Sequence, residues 1–256
     1  MRVLHVIPSL SFVHGGPSRA IRLIAQALLA QGVAAEIATT DDDGAGARNG
    51  KPLGTPLEER GVVYRYFLKR TEFYKMSPGF ARWIFRHVSD YDVVHIHALF
   101  SFTSIAAAWA ARRAGVPYVV RPLGTLNRYG MEKRRPWLKR LSLKFIEGPI
   151  LRHAAAVHFT AEAEQVEADA LGVPMKSVVI PLGVVAVPPP DQRGLLAQYP
   201  QLASKRIVLF LSRLDAKKNV EGLLRAFALL VNDAPDLYLL IAGDGEPAYV
   251  AGLKKL

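Results

Sequence analysis

Three cationic side chains stand close together in the segment "LFLSRLDAKKN". Arg213 follows an apolar run that predicts a buried strand, and Lys217 and Lys218 precede an amphipathic helical pattern. Positive charges this close repel one another unless an anion lies between them, and a helix N-terminus attracts the same anion. Arg binds phosphate oxygens in pairs, whereas Lys acts as a point charge. The corner therefore predicts a diphosphate site, with a solvated basic turn as the alternative.

Glycines follow two of the predicted strands, where a backbone can lie close to a ligand. Gly15 and Gly16 separate the first apolar run from the first helical pattern, and Gly243 and Gly245 follow the last apolar run. A glycine pair before a helix lets N–H groups at the helix N-terminus reach an anion. For Gly15 and Gly16 the alternative is a turn that needs positive φ at one residue. The G-x-G-x-x-G dinucleotide fingerprint is absent, so the acidic run 41–43 is interpreted as a solvated loop.

Two histidines lie in the strand pattern "DVVHIHALF". His95 and His97 are two residues apart, so both point to the same face of the predicted sheet. His97 is at the carboxyl end, where open parallel sheets bind ligands. We expect His95 in the core and His97 at a cleft, where it can donate to a sugar hydroxyl. No third metal ligand is apparent, so no metal site is predicted.

The net charge of +11 comes from two basic segments. Residues 64–87 contain six Lys or Arg and one Glu, and residues 128–152 contain eight Lys or Arg and two Glu. The first segment interleaves aromatic side chains with cations. In the second, the apolar side chains have helical spacing, which predicts a helix packed on the sheet. The alternative is contact with an anionic membrane or an acceptor, and no nucleic-acid motif is present. The membrane or acceptor candidates are Arg134, Arg135, Trp137, Lys139 and Arg140.

Buried strands alternate with helical patterns, which predicts an α/β fold with a doubly wound parallel sheet. The chain has no cysteine, which excludes disulfides and thiolate metal sites and fits a reducing, cytoplasmic location. The two basic segments suit a location peripheral to the inner face of the cytoplasmic membrane, which the family resemblance described below implies. No apolar run is long enough to cross a bilayer. The predicted strands are 2–7, 33–39, 62–67, 92–97, 117–121, 155–160 and 178–182, and the predicted helices are 17–31, 78–89, 101–114, 134–151 and 162–171.

The alternation stops at residues 186–205, which contain the Pro188–Pro190 triplet and predict a linker. It resumes with strand 206–212, helix 219–231 and strand 237–242. We therefore expect a Rossmann-like domain at 1–185 and a second, partial domain at 206–256. Two strands and one helix are too few to bury a core, so we expect the sequence to end inside the second domain.

Several motifs taken together resemble the family-4 retaining glycosyltransferases of the GT-B fold, over essentially the full chain. The most specific is the family's R-L-x-x-x-K, matched by Arg213, Leu214 and Lys218. The resemblance implies two Rossmann-like domains that face each other across a cleft, with the acceptor on the N-terminal domain and a nucleotide-diphosphate sugar on the C-terminal one. The other matching motifs are Gly15–Gly16, "DVVHIHALF", "RPLGTL", "HFTAEAE", "IPLGV" and "IAGDGE".

The resemblance also implies roles for individual residues. Arg213 and Lys218 would bind the donor pyrophosphate as it leaves, Gly15 and Gly16 would let the first loop reach the donor, and His97 would contact the transferred sugar. Sugar transfer would need no metal or other cofactor, and the acceptor would be a polysaccharide or a lipid-linked molecule.

The sequence departs from the family pattern at three places. Asn219 stands where members usually have Gly, Leu123 stands where many have His, and the later E-x7-E glutamate pair has no match. The alternatives are an inactive acceptor-domain fragment that binds glycan or membrane, and a GT-B nucleotide-sugar epimerase.

Overall fold

The computed structural model describes residues 1–132, 135–186, 191 and 193–256. They divide into two compact units, Met1–Val184 and Val185–Leu256. The predicted linker 186–205 begins the second unit, and it contains the short helix α8 described below. The Pro188–Pro190 triplet lies outside the described residues.

The first unit is built on an eight-stranded sheet of order β3-β4-β2-β1-β5-β6-β7-β8. All neighbouring strands are parallel except β3 and β4, which are antiparallel. The prediction of a mostly parallel α/β sheet is confirmed. The sequence missed β3, which is short and largely exposed. The strands are β1 (Arg2–Ser9), β2 (Ala34–Thr40), β3 (Pro56–Glu59), β4 (Val62–Phe67), β5 (Val93–His97), β6 (Tyr118–Arg121), β7 (Ala156–Phe159) and β8 (Ser177–Val179).

Helices bury apolar side chains of this sheet in two clusters. The larger cluster joins Val94 and Ile96 of β5 to an alanine-rich helix, α3, whose small side chains allow close packing. The smaller cluster joins Ile37 of β2 to Ile21 of the first helix, α1. The helices of this unit are α1 (Gly16–Ala30), α2 (Pro78–His87), α3 (Phe102–Ala114), α4 (Arg128–Glu132), α5 (Pro136–Ser142), α6 (Gly148–His153) and α7 (Glu162–Asp169).

The single helix predicted at 134–151 is divided in the structure. Between α5 and α6 lies a π-helical turn, Leu143–Glu147, and the N–H of Gly148 donates to the carbonyl of Leu143 to close it. A Cβ on Gly148 would lie 2.5 Å from that carbonyl oxygen, so the wide turn requires glycine. Pro149 then has no N–H to restore the ordinary α-helical bond.

The second unit contains a two-stranded parallel sheet, β9 (Arg206–Leu211) and β10 (Leu237–Ala242). Apolar side chains of this unit are exposed, among them Leu211 at 75% and Leu229 at 79%. In the described part of the chain, no helix has the length and apolar character needed to cross a membrane. The helices of the unit are α8 (Arg193–Gln198), α9 (Val220–Leu230) and α10 (Pro247–Leu253).

Limited proteolysis of the chain should remove residues beyond about 190 before it cuts the first unit. The reason is that the small sheet leaves apolar side chains in solvent and therefore opens more easily than the eight-stranded sheet. The measurement is the mass of the fragments against time at low protease concentration. Equal resistance of both units would contradict the expectation.

Candidate functional site

The first unit has a topological switch point between β1 and β5. From β1 the chain continues toward β2 on one side, and from β5 it continues toward β6 on the other. The crevice at the carboxyl ends of such strands is where open α/β sheets bind ligands. The loops at residues 10–16 and 98–101 flank this crevice.

Gly15 and Gly16 lie in the first of these loops. Gly15 has φ 83°, so the turn itself explains this glycine. Gly16 is the first residue of α1, and a Cβ there would meet no atom within 4 Å. The space beside the N-terminus of α1 is therefore open to a ligand, and the contact of both glycines with the donor stays a prediction.

Asp42 is buried and contacts the loop at residues 10–16 that contains Gly15 and Gly16. The interpretation of 41–43 as a solvated loop is therefore wrong. Asp42 is 0% exposed, and its carboxylate accepts hydrogen bonds from Lys69, Lys75 and His14, each at 2.6 Å. Burial alone would raise the pKa of Asp42, but these three donors outweigh it and hold the pKa well below its usual range. Because His14 directly precedes Gly15, the cluster fixes the position of the loop.

Half of the Lys and Arg side chains of the first basic segment form ion pairs within the first unit. Lys69 is buried and contacts both Asp42 and Glu72, Lys75 contacts Asp42, and Arg65 pairs with Glu36. These cations hold strands and loops together, so the segment 64–87 offers an anionic partner fewer free charges than its composition suggests.

Histidines from β1 and β5 form a buried cluster on one face of the sheet. His5 is the register partner of His95, and His5 Nδ1 lies 3.0 Å from His97 Nε2. His97 is only 1% exposed, so the expectation that it faces an open cleft is wrong. Its contact with the transferred sugar stays a prediction.

His5 also brings a third potential metal ligand beside His95 and His97, which the sequence did not reveal. One ligand atom from each of His5, His95 and His97 lies within 4.8 Å of the others. Burial lowers the pKa of His5 to about 4 and the pKa values of His95 and His97 well below the usual value, so the rings are neutral, as metal ligands must be. The positive charge of Arg121, the register partner of His97, opposes a cation at this position.

Glu147 is a fully buried carboxyl under the second loop of the crevice. Its Oε1 accepts a hydrogen bond from the N–H of Phe100 at 3.1 Å. Burial raises the pKa of Glu147 to about 7, against smaller lowering effects of Phe100 and Ser142. Phe100 has φ 55°, so Glu147 holds a left-handed backbone position in place.

We expect Glu147→Gln to increase the free energy of unfolding above pH 7 and to have little effect near pH 4. A carboxyl whose folded pKa lies above its unfolded value favours folding while protonated, and it loses that contribution as the pH rises through about 7. The difference between the two pH limits should be about 3 kcal/mol. Denaturant unfolding of both proteins at several pH values measures it, and a pH-independent difference would contradict it.

The second basic segment carries its apolar side chains outward. Trp137, Leu141 and Phe145 are 68%, 49% and 63% exposed, so the prediction that this face packs on the sheet is wrong. Beside them is an apolar groove of about 550 Å³, lined by Leu138 and Phe73 among others.

One cation of the second basic segment lies at Phe73 of this groove. The guanidinium of Arg135 lies 5.5 Å from the ring centre of Phe73. Arg140 is exposed and Lys139 is half-buried, while Arg134 lies outside the described residues. Contact of this surface with a membrane or an acceptor stays a prediction.

In the second unit, the basic corner joins β9 to α9. Arg213 follows the strand, Ala216–Lys218 forms a 3-10 turn, and the side chains of both Arg213 and Lys218 are exposed. Asn219 has φ 51°, a left-handed conformation that glycine adopts readily and asparagine tolerates. Asn can therefore occupy the position where the family pattern usually has glycine.

Gly243 and Gly245 pack closely against the backbone of the basic corner, and their contact with the donor stays a prediction. A Cβ on Gly243 would lie 1.8 Å from the carbonyl oxygen of Ser212, and a Cβ on Gly245 would lie 2.2 Å from that of Leu214. The N–H of Leu214 donates to the carbonyl of Asp244 at 2.9 Å. The glycines therefore let the segment after β10 pack against the backbone that carries Arg213, and the structure does not require a ligand to explain them.

A parallel α/β unit with a glycine loop at its switch point, followed by a strand–helix unit with a basic corner, defines a protein of the GT-B class. Two family models match the chain: residues 15–183 match the glycosyl transferase 4-like domain, and residues 195–256 match glycosyl transferases group 1. The chain therefore belongs to the glycosyl transferase 4-like family. The curated proteins contain no match.

Solved structures with the same fold include HepE from Anabaena, crystallised with UDP and glucose, at 20% identity and TM-score 0.69. Sucrose-phosphate synthase from Thermosynechococcus elongatus matches at 18% identity and TM-score 0.69. The match covers all of this chain in both cases, but 65% of HepE and 66% of the synthase. The chain thus spans slightly less than two thirds of the length of these relatives.

Proposed function

We propose that this chain transfers a sugar from a nucleoside-diphosphate sugar to a polysaccharide or a lipid-linked acceptor, with retention of anomeric configuration and without a metal. HepE has been crystallised with UDP-glucose, which makes this nucleotide sugar the first donor to test. The proposal places the donor at the second unit and the acceptor at the switch point of the first.

The observation that carries the proposal is the basic corner of Arg213 and Lys218. Neither side chain forms an ion pair with a carboxylate in the described ranges; Arg213 lies just after β9, and Lys218 lies just before the N-terminus of α9. Two exposed cations beside a positive helix end suit a diphosphate better than any single phosphate.

The reaction breaks the bond between the anomeric carbon and the diphosphate oxygen, and the diphosphate leaves with the electron pair. The acceptor oxygen forms the new bond to that carbon and gives its proton to the departing phosphate. Arg213 and Lys218 stabilise the negative charge that develops on the leaving group, the task that a metal ion performs in other transferases. No residue is assigned to hold a cofactor.

A glycan- or membrane-binding module without turnover is the second candidate. The exposed Trp137 and Phe145 beside exposed cations favour it, because such surfaces insert aromatic rings among anionic headgroups. Sedimentation with anionic vesicles in the absence of nucleotide would support this candidate, and it is compatible with a transferase that is peripheral to the cytoplasmic membrane.

The test of transfer is incubation of the chain with UDP-glucose and candidate acceptors in the presence of a chelator, followed by NMR of the product. We expect an α-linked sugar and release of UDP. A β-linked product would contradict retention, and loss of turnover with the chelator would contradict metal independence. Nucleotide binding without turnover would favour the module.

A further inference from the structure

A buried guanidinium without a direct ion pair to any described carboxylate lies at the carboxyl end of β6. Arg121 is 4% exposed, and its Nε and Nη1 atoms have no hydrogen-bond partner among the residues that the structure describes. Within the described ranges no carboxylate forms an ion pair with Arg121, although Glu164 acts on it electrostatically. Removing a charge from water is costly unless the charge is paired, so this arrangement calls for an anion.

In the described part of the chain, ring nitrogens around Arg121 also lack hydrogen-bond partners. Its register partner His97 has an unpartnered Nδ1, and His5 and His95 each have an unpartnered Nε2. His158 completes this face, with its ring 5.6 Å from that of His95 and its Nε2–H donating to the carbonyl of Ile180. The cluster thus consists of one arginine and four histidines, and all polar side-chain atoms of these residues are nitrogens.

The hydrogen bond between His5 and His97 permits a tautomer that suits an anion. If His5 Nδ1–H donates to His97 Nε2, the proton of His97 is on Nδ1. His97 Nδ1–H and the Nε–H and Nη1–H of Arg121 are then three donors at the ends of neighbouring strands, β5 and β6. An oxyanion accepts from several donors at once, and a guanidinium matches its geometry.

We propose that Arg121 and His97 bind a phosphate or carboxylate group carried by the acceptor, so that the substrate of this chain is an anionic acceptor. The anion site is inferred from the unpaired donors alone. Only the step that assigns the anion to the acceptor rests on the proposed function. The site is separate in sequence from the corner of Arg213 and Lys218, which would bind the donor. A metal ion on the three histidines is the competing occupant, and the charge of Arg121 opposes it.

The test uses the full chain in which Arg213→Ala and Lys218→Ala remove both cations of the basic corner, so that added phosphate cannot bind there. In this background, inorganic phosphate should raise the melting temperature, and Arg121→Met should abolish the rise because it keeps the side-chain length and removes the charge. Acetate in place of phosphate distinguishes a carboxylate site from a phosphate site. Arg113→Met, an exposed position on α3, is the matched control and should keep the response.

The inference would be overturned if phosphate and acetate raised the melting temperature of the parent and of Arg121→Met by the same amount. It would also be overturned if neither anion raised the melting temperature of the parent. Stabilisation by zinc in place of the anions would identify a metal site and also overturn it. If Arg121→Met does not fold, the ¹⁵N resonances of the His97 ring are followed while the parent is titrated with phosphate. Resonances that do not shift would reject the site. Nucleotide binding, measured separately on the unmodified chain, can fail without affecting this result.

Discussion

Replacing Arg213 and Lys218 together by alanine should weaken binding of a nucleoside diphosphate at least about 100-fold. Each charge-assisted hydrogen bond to a phosphate contributes about 1.5–3 kcal/mol, and the double variant removes both cations of the corner. Turnover should fall further, by about 100- to 1000-fold in kcat, because the same cations stabilise charge on the leaving group. Calorimetry and initial-rate measurements give the two effects.

The matched control removes the same charge from the same unit. Arg225 and Lys254 are exposed, and neither belongs to the corner. Arg225→Ala combined with Lys254→Ala should leave nucleotide binding within about 3-fold of the parent, since distant exposed charges are screened by salt. Equal losses in the two double variants would mean that net charge, rather than the corner, attracts the nucleotide.

Asp42→Asn should lower the free energy of unfolding by about 3–5 kcal/mol, the usual cost of removing one partner from a buried ion cluster. The variant leaves Lys69 buried beside Lys75 without their shared carboxylate. Because the folded pKa of Asp42 is depressed, its contribution is present at neutral pH and is lost as the pH falls below about 4. The wild-type and variant stabilities should therefore converge in acid.

Glu59→Gln is the control for this effect. Glu59 pairs with Lys51 at 3.1 Å, but both side chains are more than 40% exposed. Such a pair contributes less than about 1 kcal/mol. If Asp42→Asn costs no more than Glu59→Gln, the cluster does not anchor the glycine loop as inferred.

The sequence predicted those parts of the structure that depend on local patterns. The strand pattern at 92–97 and the polar corner after the strand at 206–212 need only short-range periodicity, and both are found. The same holds for helix 17–31, whose start beside Gly16 follows from Pro17.

Other features depend on which strands become neighbours, and the sequence could not reveal them. His5 meets His97 only because β1 lies beside β5, although the two residues are 92 positions apart. Asp42 was interpreted as solvated because its partners Lys69 and Lys75 lie in another part of the chain. The π turn before Gly148 was missed because it interrupts an otherwise helical pattern.

The most direct test of the donor site is an NMR titration of the chain with a nucleoside diphosphate, observed at the Nε of Arg213 and the Nζ of Lys218. Our account predicts that both signals shift together and saturate, and that a nucleoside without phosphates moves neither. Signals that stay in place up to saturating diphosphate would contradict it.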